Sequence, residues 1–255
     1  MIIDADAHVV ETEHTWGYLD ESDKKFRPQL FQLCENSGAQ CWFLDGKIIG
    51  FRNPTLTEQE LDALSKETGR QLQTAREARE LRDVELRLRH MDRLGIDIQV
   101  LHNTMWIARV ADRPDIEIAL CMAWNRWMAD VWKQAKGRLV WSCVVPAMTI
   151  SEALQQIRFA RENGSVAVCL RPFEAERHLV DPHFYPIYEE ATRLHMAMAI
   201  HIANASPQLL EQFRPRYDKM GGFAQFRIPT VVTCLSLMMS EIPRLFPALR
   251  WGFIE

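Results

Sequence analysis

The sequence predicts an α/β fold built on a buried parallel sheet, and three observations predict it. From about residue 83 onward, short apolar runs alternate with amphipathic helical stretches. Those runs are apolar on both faces, which is the pattern of strands covered by crossover helices, not of half-solvated antiparallel strands. Five of the six runs also end in a polar or ionisable residue. Such folds gather their reactive groups at those carboxyl ends.

The first strand opens with Ile2-Ile3 and passes directly into Asp4-Ala5-Asp6-Ala7-His8-Val9-Val10-Glu11. Alternation along a strand puts Asp6 and His8 on one face and Ala5, Ala7 and Val9 on the other. A carboxylate oxygen and an imidazole nitrogen two residues apart form a short-range chelate for a divalent metal. Ile2, Ile3, Val9 and Val10 predict burial on both faces of this strand. An Asp and a His buried there without a partner would be costly.

Residues 12–56 form a long excursion that contains Trp16, Trp42 and a hairpin at Asp45-Gly46. Excursions of this length inside a domain carry function or structure of their own. It is expected to close over the mouth of the fold as a lid or to pack against a second subunit. Thr57 and Glu60 have the spacing of a capping box, opening a helical region. A helix over 83–94 is ended by Gly95. The remaining elements are strands at 96–101, 139–145, 166–170, 196–202 and 249–254. Between them come helices at 116–136, 151–163 with Ser151 as cap and Gly164 as stop, 186–194 and about 236–246.

The 255 residues suit a single domain of this class, with 47% hydrophobic and 25% charged residues. A net charge of −4 with scattered arginines gives no nucleic-acid footprint. No apolar run approaches the roughly 20 residues that cross a bilayer. The N-terminus is acidic within four residues, unlike a secretory signal. Six cysteines without a C-x-x-C pair read as free thiols in a reducing compartment. The expectation is a cytoplasmic protein acting on a small molecule as a homo-oligomer, a dimer in the simplest case.

The strand ends carry the chemistry. They present Asp6 and His8, then His102 and Asn103, Pro146, Arg171, His201 and Glu255. His201 ends the wholly apolar run Ala197-Met198-Ala199-Ile200. A lone histidine there is more often a satisfied core residue. With Asp6 and His8 at the same end of the sheet, a metal site becomes the better reading. Two imidazoles and a carboxylate with an open position for water make a competent catalytic centre. His14, His178, His183, His90 and His195 read as surface or loop residues. Arg171-Pro172 either clamps a substrate carboxylate or braces a loop. Trp124, Trp127 and Trp132, with Asn125 among them, read as helix packing.

These residues resemble the metal-dependent amidohydrolases of the branch that includes aminocarboxymuconate-semialdehyde decarboxylase. The resemblance rests on Asp4 to Glu11 with Trp16, on Met91-Asp92-Arg93-Leu94-Gly95-Ile96-Asp97, and on the Trp124-Asn125-Arg126-Trp127 helix. Arg171-Pro172, Asp181-Pro182, Ile200-His201 and Phe246-Pro247-Ala248-Leu249-Arg250 follow in family order. It implies a (β/α)8 TIM-type barrel, of which about six βα units lie within these residues. It also implies one divalent metal held by Asp6, His8 and His201, with Glu11 near the site. Zn2+ is the first choice; Mn2+ or Fe2+ fits because a carboxylate favours harder ions.

Three departures qualify what the resemblance implies. The first strand has Asp6-Ala7-His8 where many relatives have His-x-His or Glu-x-His. Glu255 stands where the decarboxylases place a histidine. The family's eighth strand, with its catalytic Asp, does not appear, so a fragment of a longer chain is expected. Such a fragment would leave Val100, Val145 and Leu170 open to water and would not turn over substrate alone. The expected activity is hydrolysis by a metal-activated water of a small, carboxylated substrate. Glu255 would then be a candidate base, and His102 and Arg171 would orient the substrate. The alternatives are a carboxy-lyase of the same family and an inactive barrel that serves as a binding module.

Overall fold

The structure is a computed structural model that describes residues 1–32, 40–69, 74–212 and 223–255. Six strands form one sheet: β1 (Ile3–His8), β2 (Ile98–His102), β3 (Leu139–Val144), β4 (Ser165–Leu170), β5 (Ala197–His201) and β6 (Trp251–Ile254). Every neighbouring pair is parallel, and spatial order follows chain order. The sheet curls into a half-barrel, a partial (β/α)8 architecture with helices on its outer face. Crossovers are made by α1 (Val84–Leu94), α2 (Pro114–Gln134), α3 (Ile150–Glu162), α4 (Tyr185–Arg193) and α5 (Ile228–Met239).

Local chemistry sets most of these boundaries. Asp83 caps α1 by accepting a hydrogen bond from the Leu86 N–H at 2.9 Å, and Gly95 ends it at φ +69°. Thr57 and Glu60 form the reciprocal capping box of the helix Glu58–Thr68. Helix α2 starts on Pro114, with Asp115 and Glu117 in its first turn, where acidic groups complement the helix dipole. Its inner face carries Trp124 and Trp127, both buried, and Trp124 also packs on Trp141 of β3. Asn125 holds the end of β3 by donating to the Val144 carbonyl and accepting from the Val144 N–H.

Several elements differ from their sequence expectation. Ser151 lies inside α3; Thr149 takes the cap position and makes no side-chain cap bond. The helix expected over 236–246 is two pieces, α5 and a turn at Ile242–Leu245. Ser240 is extended between them, donating to the Leu237 carbonyl and accepting from the Ile242 N–H. The start of α5 was hidden because Ile228, Thr230, Val231, Val232 and Thr233 are β-branched and read as non-helical. Ile2 and Ile3 are exposed rather than buried, because β1 is an edge of the sheet. His90, expected at the surface, is buried in α1. Val145 and Leu170 are buried, and only Val100 of the three apolar residues expected to be open is partly exposed.

The excursion after β1 carries its own small structure. Short 3-10 helices at Thr15–Tyr18 and Glu21–Phe26 lead into an antiparallel sheet of Gln29–Gln32, Gln40–Leu44 and Lys47–Phe51. The hairpin turn is Asp45-Gly46, with φ of +49° and +77°, the backbone twist that two-residue hairpins need. Trp16 packs edge-on against Trp42 and also meets Trp106. Asp45 pairs with Arg113 at 3.6 Å, and Lys47 with Asp112. The hairpin thus seats on loops at the carboxyl end of the sheet, around a cavity of about 210 Å³ bordered by Val110, Ala205 and Leu210.

Candidate metal centre

The carboxyl ends of β1 and β5 bring Asp6, His8 and His201 together. The Nε2 atoms of His8 and His201 lie 3.0 Å apart. Asp6 Oδ1 lies 3.4 Å from the first and 3.9 Å from the second. One possible ligand atom from each residue falls within 4.8 Å of the others. The rings of His8 and His201 meet edge to face, their centroids 4.9 Å apart.

The other ring nitrogens fix the tautomers. His8 Nδ1 lies 2.9 Å from the Asn103 carbonyl, and His201 Nδ1 lies 3.0 Å from the Ile202 carbonyl. A carbonyl only accepts, so each Nδ1 carries the proton and each Nε2 of a neutral ring presents a lone pair. Two lone pairs and a carboxylate oxygen therefore converge, an arrangement that a cation stabilises. Two zinc–nitrogen bonds of about 2.1 Å reach across this 3.0 Å gap, so the donor set fits a divalent metal. Asp6 is held below the ordinary carboxylate range, chiefly by its contact with His8, while partial burial opposes this. Burial pushes the His201 pKa down, and the adjacent His8 ring adds to this.

The remaining candidates sit differently. Glu11 is buried and stands apart from this group. Its carboxylate accepts from the Thr104 N–H at 3.1 Å, the Thr104 hydroxyl at 2.5 Å and Trp124 Nε1 at 3.0 Å. It ties the end of β1 to the loop after β2. His102 is also buried, with Nε2 donating to the Ala5 carbonyl and Nδ1 accepting from the Ser142 hydroxyl, both at 2.9 Å. Burial pushes its pKa down to about 4, so it is a neutral spacer beneath the pair, with no free nitrogen for a substrate.

Arg171 braces loops. Its guanidinium forks onto Glu174 and donates to the Ala108 carbonyl at 2.9 Å, and Glu117 of α2 lies 3.6 Å away. Glu255 stays at the site: its Oε2 is 3.9 Å from His201 Nε2. The two histidines and Glu255 border a cavity of about 180 Å³ together with Asn53, Arg79, Asn103, Thr104 and Ile107. Asn53 and Arg79 were not singled out by the sequence, since nothing in the local pattern separates them from other polar residues of the excursion and the turn before α1.

The chain resembles known proteins at the level of this architecture. An amidohydrolase from Mycobacterium avium subsp. paratuberculosis superposes with a TM-score of 0.77 at 16% identity, covering 100% of this chain and 71% of the other. The 5-carboxyvanillate decarboxylase of Sphingomonas paucimobilis gives 0.64 at 17% identity, covering 99% and 66%. The 4-oxalomesaconate hydratase of Rhodopseudomonas palustris gives 0.54 at 16% identity, covering 99% and 62%. The chain thus spans roughly two thirds of the length of these structures, and at such identities the similarity carries the fold alone. No curated protein matches the sequence. The amidohydrolase family model, however, matches residues 3–255, and the chain belongs to that family.

Proposed function

We propose that the protein is a metal-dependent hydrolase acting on a small, carboxylated organic substrate at the Asp6, His8 and His201 centre. The observation that carries this reading is the convergence of two imidazole lone pairs and a carboxylate oxygen, with both Nδ1 atoms committed to carbonyls. Those carbonyl bonds hold each ring in the orientation and tautomer a metal needs. Zn2+ suits the two nitrogens, and Mn2+ or Fe2+ suits the carboxylate. A divalent ion in this position supplies Lewis-acid chemistry, lowering the pKa of water and polarising a carbonyl.

The chain's own residues do the rest. His8 and His201 orient the centre, and Asp6 supplies its negative charge. Glu255, bordering the same cavity, takes the proton of the attacking water at Oε2. The exposed apolar face of α5, with Val231, Leu235, Met238 and Met239, supports assembly as a homodimer.

A carboxy-lyase is the second reading, favoured by the fold shared with 5-carboxyvanillate decarboxylase and 2,6-dihydroxybenzoate decarboxylase. The test is to incubate metal-loaded protein with a panel of esters, lactones, amides and aromatic acids, following proton release and carbon dioxide in parallel. Hydrolysis without carbon dioxide, abolished by a chelator, is the expected result. Carbon dioxide release would replace hydrolase with lyase, and turnover indifferent to the chelator would remove both readings.

A further inference from the structure

The turn before α1 and the end of the excursion beside it hold a cluster of arginines, and all but one have an ion pair or a side-chain hydrogen bond among the described residues. Arg76 donates to the Thr55 carbonyl and pairs with Glu60. Arg82 and Arg52 both pair with Glu80. Arg87 is buried and donates to Gln99 and to the carbonyls of Ala78 and His8. The Arg79 side chain has no hydrogen bond or ion pair among the described residues. It is nevertheless half-buried, and burial alone lowers its pKa. A guanidinium withdrawn from water without a partner is costly, and natural folds retain such groups where something else completes them.

What Arg79 faces is the metal cavity. It borders that cavity with His8, His201 and Glu255, and borders a second opening with Asp6, His8 and Arg87. Its main chain is anchored at this place, because the Val10 N–H donates to the Arg79 carbonyl at 3.0 Å, two residues beyond His8. Of the other polar groups of the wall, Thr104 donates to Glu11 and Asn103 is bonded through both ends of its amide, while Asn53 is neutral and cannot balance an anion. The planar five-donor guanidinium is suited to a carboxylate, which it can hold through two parallel bonds.

We infer that Arg79 is the substrate-anion binding residue of this cavity, pairing with a carboxylate of the substrate while the reacting group lies at the two histidines. This rests on the small-carboxylate reading of the site but not on whether the metal binds. The probe is benzoate, with benzamide as its neutral counterpart, titrated calorimetrically into metal-loaded and chelator-treated protein.

Wild type is expected to bind benzoate saturably in both states. Arg79→Gln is expected to weaken it about tenfold or more, Arg79→Lys to restore part of the loss, and benzamide to be indifferent to either change. Both variants should keep the wild-type melting temperature or exceed it, because the Arg79 side chain makes no hydrogen bond or ion pair among the described residues. Absence of saturable benzoate binding by chelator-treated wild type, or equal binding by Arg79→Gln, overturns the inference. Inorganic phosphate is expected to bind more weakly than benzoate; tighter phosphate binding would overturn the carboxylate assignment. Failure to take up metal would sink the hydrolase reading, yet leave the Arg79 dependence measurable in the chelator-treated arm.

Discussion

His8 and His201, 193 residues apart in the chain, place their Nε2 atoms 3.0 Å from each other while each Nδ1 is held by a main-chain carbonyl. Neither ring can turn its protonated nitrogen inward without losing its carbonyl bond, so the pair is set to share a cation. The carbonyls belong to Asn103 and Ile202, both immediately after a strand, so the curl of the sheet itself sets the geometry.

Glu255 is expected to act as a base and not as a ligand on which metal uptake depends. Glu255→Gln should lower kcat by about 10²- to 10⁴-fold while metal content stays at the wild-type level. Steady-state kinetics with metal analysis on the same samples check it. Unchanged kcat would assign the base elsewhere.

Gly164 is required for two independent reasons. Its φ is +86°, and a Cβ there would stand 2.2 Å from the ring of Trp132. Gly164→Ala should therefore destabilise by about 2–5 kcal/mol, combining left-handed backbone strain with overpacking between α3 and α2. Urea denaturation reads this directly, and a loss below about 1 kcal/mol would mean the indole moves freely aside.

Glu117 should make stability fall as pH rises. Burial raises its pKa to about 7, against the opposing pull of Arg171. In the unfolded chain the same carboxyl titrates near 4.5. Between these values the folded state binds more protons, so stability is lost as pH climbs through that window. Glu117→Gln should match wild type near pH 4 and gain on it by about 1–3 kcal/mol at pH 8. A constant difference across that range would show that folding does not raise the Glu117 pKa.

Sequence reasoning reached the strands and the three converging residues because their signals are local. Alternation placed Asp6 beside His8, and an imidazole ending the run from Ala197 to Ile200 was conspicuous. The role of Arg171 was open, because a substrate clamp and a loop brace call for the same side chain; Glu174 and Glu117 decide it only once folded. His102 looked reactive at a strand end, and only the Ala5 carbonyl and Ser142 hydroxyl show that both nitrogens are taken. Arg79 was illegible, since what sets it apart is that its side chain meets no partner among the described residues once the chain is folded.

If Asp6, His8 and His201 hold one divalent ion, the purified protein should retain metal through them, which elemental mass spectrometry reads after zinc loading and removal of excess ion. Wild type is compared with His8→Ala/His201→Ala, both shown to be folded by circular dichroism. Wild type is expected to carry about one zinc per chain and the double variant almost none. Equal metal content in the two proteins, or none in wild type, would contradict it.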